Sequence, residues 1–254
     1  MVKVSVVTVV YNREKTIGDA IDSVLTQTYP DIEHIVQDGG SSDGTLDVIC
    51  RKSNLLLHLE SKADSGIYHA INRGIDRSTG DIIGLMHSDD FFSSPNCLCF
   101  VVNALKDNNL DGVYGDLQYV SSCNPNRVVR HWSAGAFDRR QLERGWMPPH
   151  PTLYLRREVF ERWGAYDTDY RIAADYEAML RWLTKGEIRL GYIPEVLVKM
   201  RVGGESNRSL GRIIRKSRED LRAIRAHEVG GIGTLLWKNA RKLTQFTHKE
   251  ARGR

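Results

Sequence analysis

Cysteine is scarce in this 254-residue chain: Cys50, Cys97, Cys99 and Cys123 are the only four, and they show none of the paired spacings of a zinc site. So few thiols exclude a disulfide framework and fit a reducing compartment, so free thiols are expected. No apolar run approaches the roughly 20 residues that cross a bilayer. The first ten residues read as a strand, with neither the charged start nor the apolar middle of a cleavable signal. A cytoplasmic protein is therefore expected. There is no internal repeat, no low-complexity tract and no recognised nucleic-acid motif, so a globular chain without a nucleic-acid partner is expected.

What is present is an alternation of strands and helices, and 41% hydrophobic residues permit a sizeable core. Val2 to Val10 is β-branched and almost continuously apolar, as in a strand buried on both faces of a parallel sheet. Ile17, Ile21, Val24 and Leu25 recur at helical spacing, with Asn12 available as a cap and Tyr29-Pro30 as a stop. The pattern predicts further strands at Ile32 to Val36, Leu55 to Leu59 and Asp81 to Met86, with a short amphipathic helix after Asp64. Such alternation implies right-handed βαβ units and a mainly parallel sheet. Beyond Pro95 it loosens. Val113 to Val120 reads as a strand, Glu158-Val159-Phe160 and Tyr176 to Leu183 carry helical spacing, and Pro148-Pro149-His150-Pro151 punctuates the halves.

A nicotinamide-binding Rossmann domain would need a glycine-rich turn after its first strand, and this chain has Tyr11-Asn12-Arg13-Glu14 there. Its glycines come after the second strand, in Asp38-Gly39-Gly40-Ser41-Ser42-Asp43-Gly44-Thr45. A carboxylate at that strand end can accept hydrogen bonds from a base or ribose, although the same residues are also ordinary turn chemistry. The most informative run follows the fourth strand: His87-Ser88-Asp89-Asp90-Phe91-Phe92. Adjacent aspartates repel unless solvent or a cation compensates, so the pair points to a hard metal with a phosphate-bearing substrate; capping of the next segment is the competing reading.

Taken in order, these segments resemble the inverting glycosyltransferases of family 2, which have the GT-A fold, an α/β architecture with a Rossmann-like, mainly parallel sheet flanked by helices. Val4 to Asn12 is similar to their opening strand and nucleotide turn, Ser23 to Pro30 to the helix end that follows, and Asp38 to Thr45 to their second nucleotide motif. Gly39 stands where many members have another Asp. The resemblance runs from Val2 to about Gly204. It implies a GT-A domain over 1–208, with a nucleotide half 1–92 and an acceptor half 93–208, followed by a helical extension 209–254. It implies an enzyme that transfers a sugar from a nucleotide sugar to a saccharide or a lipid-linked (polyprenyl-diphosphate) saccharide in the building of bacterial surface polysaccharide. A UDP-sugar is the default donor, with GDP- and dTDP-sugars open.

By match, Asp38 contacts the nucleotide, with Thr8, Tyr11, Asn12, Asp64, Arg73 and Ser88 around the nucleotide and its sugar phosphate. Tyr68 lines the same pocket. The family's Asp-x-Asp metal motif falls on His87-Ser88-Asp89, so Asp89 would hold Mn²⁺ or Mg²⁺. His87 departs from the motif, and a neutral strand-end histidine is its competing reading. That departure keeps a second class open, a catalytically inactive nucleotide-sugar-binding or scaffolding protein of the same fold. Asp90, His150 and Glu177 would lie on the acceptor side, and Arg201, before the Gly203-Gly204-Glu205-Ser206 turn, would neutralise the diphosphate. An acceptor hydroxyl is a weak nucleophile, so inversion needs a general base opposite the leaving group. Asp175 matches the family's catalytic acidic residue, with Glu177 as the fallback; a helix-start aspartate favoured by the macrodipole is the alternative reading.

Residues 209–254 carry twelve Lys and Arg against four acids, a net +8 in a chain whose total is +4. Leu236, Ala240 and Leu243 fall on one helical face beside Trp237, Lys238, Arg241 and Lys242. A basic amphipathic helix of this kind docks on an anionic membrane, here at the inner face of the plasma membrane, and would be separable from the chemistry. Packing on the body of the protein, or on a second copy as a homodimer, is the alternative.

Overall fold

The computed structural model describes residues 1–52, 57–106, 109–202 and 210–244, with backbone alone for 210 and 241–244. Strands β1 (Val4–Val10) and β2 (Ile32–Asp38) are buried at all seven of their positions, which is why both read as runs and not as alternations. They form a parallel unit with β3 (Leu57–Ser61) and β4 (Ile82–Leu85) in the order β3-β2-β1-β4. Positions 55 and 56 of the expected third strand lie outside the described residues. Helices α1 (Ile17–Leu25), α2 (Thr45–Lys52) and α3 (Ile67–Arg77) make the crossovers.

Asn12 does not cap α1. Its backbone is left-handed at φ 51, and its Oδ1 accepts the Ser42 amide at 2.9 Å, while α1 starts five residues later on a turn that bonds to the Arg13 carbonyl. The side chain is used between loops, where it stitches the β1 and β2 ends together.

In the second half, β5 (Asp90–Phe92), β6 (Gly112–Val120), β7 (Val128–Trp132), β8 (Tyr154–Arg156) and β9 (Leu190–Arg201) continue the same sheet. Here only β6 and β9 pair in parallel; β8 runs antiparallel to β4 and β6, β7 to β6, and β5 to β9. The unbroken parallel run is thus β3-β2-β1-β4. The join is tight at Gly84, where a Cβ would lie 2.1 Å from the ring of its register partner Tyr154. Helices α4 (Cys97–Ala104), α5 (Arg157–Trp163) and α6 (Ala174–Thr184) complete this half.

A buried acid ties the parallel strands to the turn before β4. Glu33 on β2 accepts from Ser5 Oγ (2.5 Å), Thr79 Oγ1 (2.7 Å) and the Gly80 amide (2.9 Å), and Lys3 Nζ lies 3.0 Å away. Burial alone would raise its carboxyl, but the bonds from Ser5 and Thr79 prevail and hold it at about 2.

The basic segment packs against α6 and the core around it. Helix α7 (Leu210–Ala226) buries Ala223 and Ile224 in the core that holds Tyr176, Met179 and Leu180 of α6, and Val229 follows them. From α8 (Ile232–Thr244), Lys238 Nζ reaches Asp220 at 2.6 Å and lies 3.1 Å from the centre of the Tyr176 ring. All four cysteines are free, and among the described residues no helix is long and apolar enough to cross a membrane.

Candidate active site

Parallel pairing brings the C-terminal ends of the first four strands to one edge. Val10 of β1 is level with Asp38 of β2, and Asp38 with Ser61 of β3. Open α/β sheets hold ligands outside strand ends of this kind. Asp38 is fully buried; its carboxylate accepts the amides of Gly40 and Ser41, both at 3.0 Å, and the hydroxyls of Ser41 (2.5 Å) and Ser61 (2.6 Å). Four donors occupy its lone pairs, so Asp38 shapes the loop that a nucleotide would meet. Ser41 Oγ in turn accepts the Asn12 amide at 2.8 Å.

Gly39 has a local consequence. A Cβ there would lie 2.5 Å from Asp64 Oδ2 and 3.5 Å from the Tyr11 ring, so the Asp64 carboxylate fills the space that a side chain at 39 would take. Asp64 is fixed there by the Gly66 amide, 2.8 Å from Oδ1, beside the exposed Tyr11. Two of the expected nucleotide residues have partners within the protein in this structure. Thr8 is fully buried with its hydroxyl 2.9 Å from His34 Nε2, and Arg73 is drawn to β3 by Glu60 (3.0 Å) and the Lys62 carbonyl (3.3 Å).

At the end of β4, Ser88 is buried and Asp89 half-buried, and Asp89 and Asp90 have different surroundings. Asp89 lies in the turn that the Asp90 amide closes on the His87 carbonyl, and Asp90, the first residue of β5, is 1% exposed with its Oδ1 accepting the Arg201 amide at 3.3 Å. Burial, then the charge of Asp89, pushes the Asp90 carboxyl well above the usual carboxylate range. Asp90 is therefore an interior residue and not an acceptor contact. Arg201 is also committed: its guanidinium donates to the Asp89 carbonyl at 3.0 Å, pairs with Asp19 and covers Phe91 at 4.9 Å. It holds the Asp89 loop from behind instead of reaching for a diphosphate; the Gly203 to Ser206 turn beyond it lies outside the described residues.

Asp175 enters from the opposite half, in the first turn of α6, where it is half-buried. Tyr68 of α3 donates to Asp175 Oδ1 at 3.2 Å and to the Ile172 carbonyl at 2.8 Å. His150, in the single 3-10 turn His150–Thr152, has Nε2 2.8 Å from the Tyr166 hydroxyl, and its ring centre is 5.8 Å from that of His87. Burial lowers the pKa of both imidazoles, His150 to about 4, and Asp175 opposes the shift in each, as Asp89 also does at His87. Two neutral imidazoles therefore lie within the fields of these carboxylates. Glu177 is not among them; buried, it binds Arg181 (3.0 and 3.1 Å) and His227 (2.9 Å), an interior ion pair that leaves no oxygen for an acceptor.

Sequence reasoning missed Tyr166, which braces His150 and stacks on Tyr68 at 5.8 Å, and Asp19, the partner of Arg201. Neither sits in a motif. A polar cleft lined by Asp138, Arg140, Gln141, Glu143, Arg144 and Trp237 contains none of the residues gathered around Asp175.

A pH dependence follows from the buried imidazoles. His34, fully buried, is lowered to about 3 by desolvation, against about 6.5 in the unfolded chain. The folded value is depressed, so the stability it contributes is complete above about 6.5 and is lost as pH falls toward 3, because the unfolded state takes the proton first. Between pH 7 and pH 5 the wild type should lose about 2 kcal/mol through this residue. His34→Gln, which keeps a partner for Thr8, should reduce the loss by that amount in urea titrations; equal losses in both proteins would show that His34 is not buried neutral.

The sequence profile of the family described as glycosyl transferase family 2 matches residues 5–164. A PGL/p-HBAD biosynthesis glycosyltransferase of Mycobacterium bovis is 31% identical over 194 residues, covering 74% of this chain and 72% of that protein. Among solved structures, a mannosyltransferase of Pyrobaculum calidifontis in complex with GDP-Man and Mn²⁺ is similar at TM-score 0.65 and 20% identity, over 98% of this chain and 76% of that one. S. aureus TarS 1-349 in complex with UDP-GlcNAc is similar at TM-score 0.64 and 18% identity, over 89% of this chain and 66% of that one. These likenesses establish the GT-A fold.

Proposed function

We propose, from the premise that the chain belongs to glycosyl transferase family 2, that it transfers a sugar with inversion from a nucleoside-diphosphate donor to a saccharide or lipid-linked saccharide acceptor. The observation that carries this reading is the chain of contacts that brings the start of α6 to the end of β4: Tyr68 bonds Asp175 Oδ1 at 3.2 Å and stacks on Tyr166, which holds His150, whose ring centre is 5.8 Å from that of His87. A base on one side and a diphosphate site on the other is the geometry that in-line displacement requires.

In the proposed step, the Asp175 carboxylate takes the proton of the acceptor hydroxyl, and the acceptor oxygen forms its bond to the anomeric carbon. The bond from that carbon to the diphosphate oxygen breaks on the far side, and the electron pair leaves with the nucleoside diphosphate. Tyr68 orients Asp175 through the bond to Oδ1. Asp89 would hold Mn²⁺ or Mg²⁺, since Arg201 takes its carbonyl and not its carboxylate. No group of three or more His, Cys, Asp or Glu able to hold a metal is present among the described residues, so the fit is to a cation held by one carboxylate and by substrate phosphates. When bound, such an ion supplies Lewis-acid stabilisation of the departing diphosphate.

UDP-sugars are the first donors to test, then GDP- and dTDP-sugars. Asp89→Ala should abolish the Mn²⁺-dependent part of nucleoside-diphosphate affinity, read by titration calorimetry with and without EDTA. A folded variant whose affinity still rises with Mn²⁺ to the wild-type level would remove Asp89 from the metal site.

Acceptor delivery is assigned to peripheral docking on an anionic membrane. Ile213 and Ile214 of α7 and Ile232, Leu236 and Trp237 of α8 are exposed on a segment that carries net +8. Each basic residue near an anionic surface contributes about 1 kcal/mol. Because Thr234 and Lys238 of the same helix are buried, deleting the helix would damage the fold, and the clean test is Leu236→Ser with Trp237→Ser. Sedimentation with phosphatidylserine vesicles should be salt-sensitive and should fall in the double variant; no binding by the wild type at low salt would end this reading.

A further inference from the structure

We infer that Glu219, on α7 in the basic C-terminal segment, is a positioning residue for Asp175; the inference rests on the reading of Asp175 as the base. Helix α6 begins at Ala174, and its cap residue Ala173 has no side chain able to bond to the backbone at that end. The segment leading into it is instead held from another element. One oxygen of Glu219, Oε2, accepts the amide of Ile172 at 2.8 Å and the amide of Ala173 at 3.0 Å. Those are the two peptide units immediately before the turn that displays Asp175.

The same short segment is held from its other side. The Ile172 carbonyl accepts the Tyr68 hydroxyl, which also donates to Asp175. The peptide around Ile172 is therefore clamped between α7 and α3, and the base is ordered by both clamps. A carboxylate at a helix N-terminus also adds the favourable charge–dipole term. Helix α7 can bear the load, because Ala223 and Ile224, one turn beyond Glu219, are buried against α6 in the main core. The tail is thus wired to the chemistry at the backbone of residues 172 and 173.

Misplacing a catalytic group by about 1 Å can cost about 10²-fold in rate with little effect on ligand affinity. Glu219→Ala and Glu219→Asp, the second of which shortens the reach by one methylene, should each lower kcat by roughly 10- to 100-fold at unchanged donor KM and unchanged calorimetric affinity for nucleoside diphosphate. Glu219→Gln, whose carbonyl can still accept both amides, should keep kcat within about threefold of wild type. If Glu219→Ala does not fold, the contrast between Asp and Gln at 219 decides the matter. Wild-type kcat in the Asp variant, equal loss in the Gln and Asp variants, or a parallel fall of kcat and donor affinity would overturn the role. Asp175→Asn measured alongside separates the two ideas. Full activity in that variant removes the base itself; a slow Asp175→Asn beside a fast Glu219→Asp removes only the inference about Glu219.

Discussion

Asp175→Asn is expected to slow transfer by about 10²-fold or more while leaving nucleoside-diphosphate affinity near wild type. The amide is isosteric and can keep the 3.2 Å contact with Tyr68, so the cleft should survive and only the proton acceptor is lost. Single-turnover transfer with saturating donor isolates that step from product release. Equal kcat in the two proteins would show that the acceptor proton leaves by another route. Glu177 is a poor candidate for that route, since Arg181 and His227 hold it below its usual range even though burial pushes it up.

The second large effect is on stability. Lys238 and Asp220 are 5% and 3% exposed and form an ion pair between α8 and α7. Burial lowers the Lys238 pKa to about 8, with Asp220 opposing the shift. Asp220→Ala leaves a buried ammonium without its partner, a loss of about 3–5 kcal/mol, which for a chain of this size lowers Tm by roughly 6–20 °C. The sign of the pH effect is testable. The variant's native state releases the Lys238 proton at lower pH than the wild type, so its deficit should shrink as pH rises toward about 8 and level off above it. Urea unfolding at pH 6 and pH 9 reads both quantities. A variant within about 1 kcal/mol of wild type at pH 6 would show that the two helices do not share a buried charge pair, and a deficit equal at both pH values would clear Lys238 of causing it.

The first four strands and their crossover helices were readable because their physics is local. Strands buried on both faces produce unbroken apolar runs, as in β1 and β2, and the helices between them show a single apolar stripe. The later part of the sheet hid its antiparallel joins, because β5 and β8 are three residues long and show no period. Resemblance to the family, more than residue type, proposed Asp89 and Asp175 as the two ends of the site, and residue type could not tell Asp89 from Asp90, which is buried at the start of β5. Sequence also conceals the partners of Thr8 and Arg73: a hydroxyl and a guanidinium read as ligand groups, and in the structure His34 and Glu60 bind them. The count of positive charges in the tail concealed Glu219 and Asp220, the two acids that connect it to α6 and α8.

The central claim, a nucleotide-sugar site assembled at the ends of β1 to β4 and completed by a cation on Asp89, is tested most directly by thermal unfolding with UDP, GDP and dTDP, each with Mn²⁺ and with EDTA. At a concentration of about 100 times Kd, the cognate nucleotide with Mn²⁺ should add about 2.7 kcal/mol, raising Tm by roughly 5–11 °C, and EDTA should remove most of the shift. No shift with any of the three nucleotides at millimolar concentration with Mn²⁺ would contradict the claim.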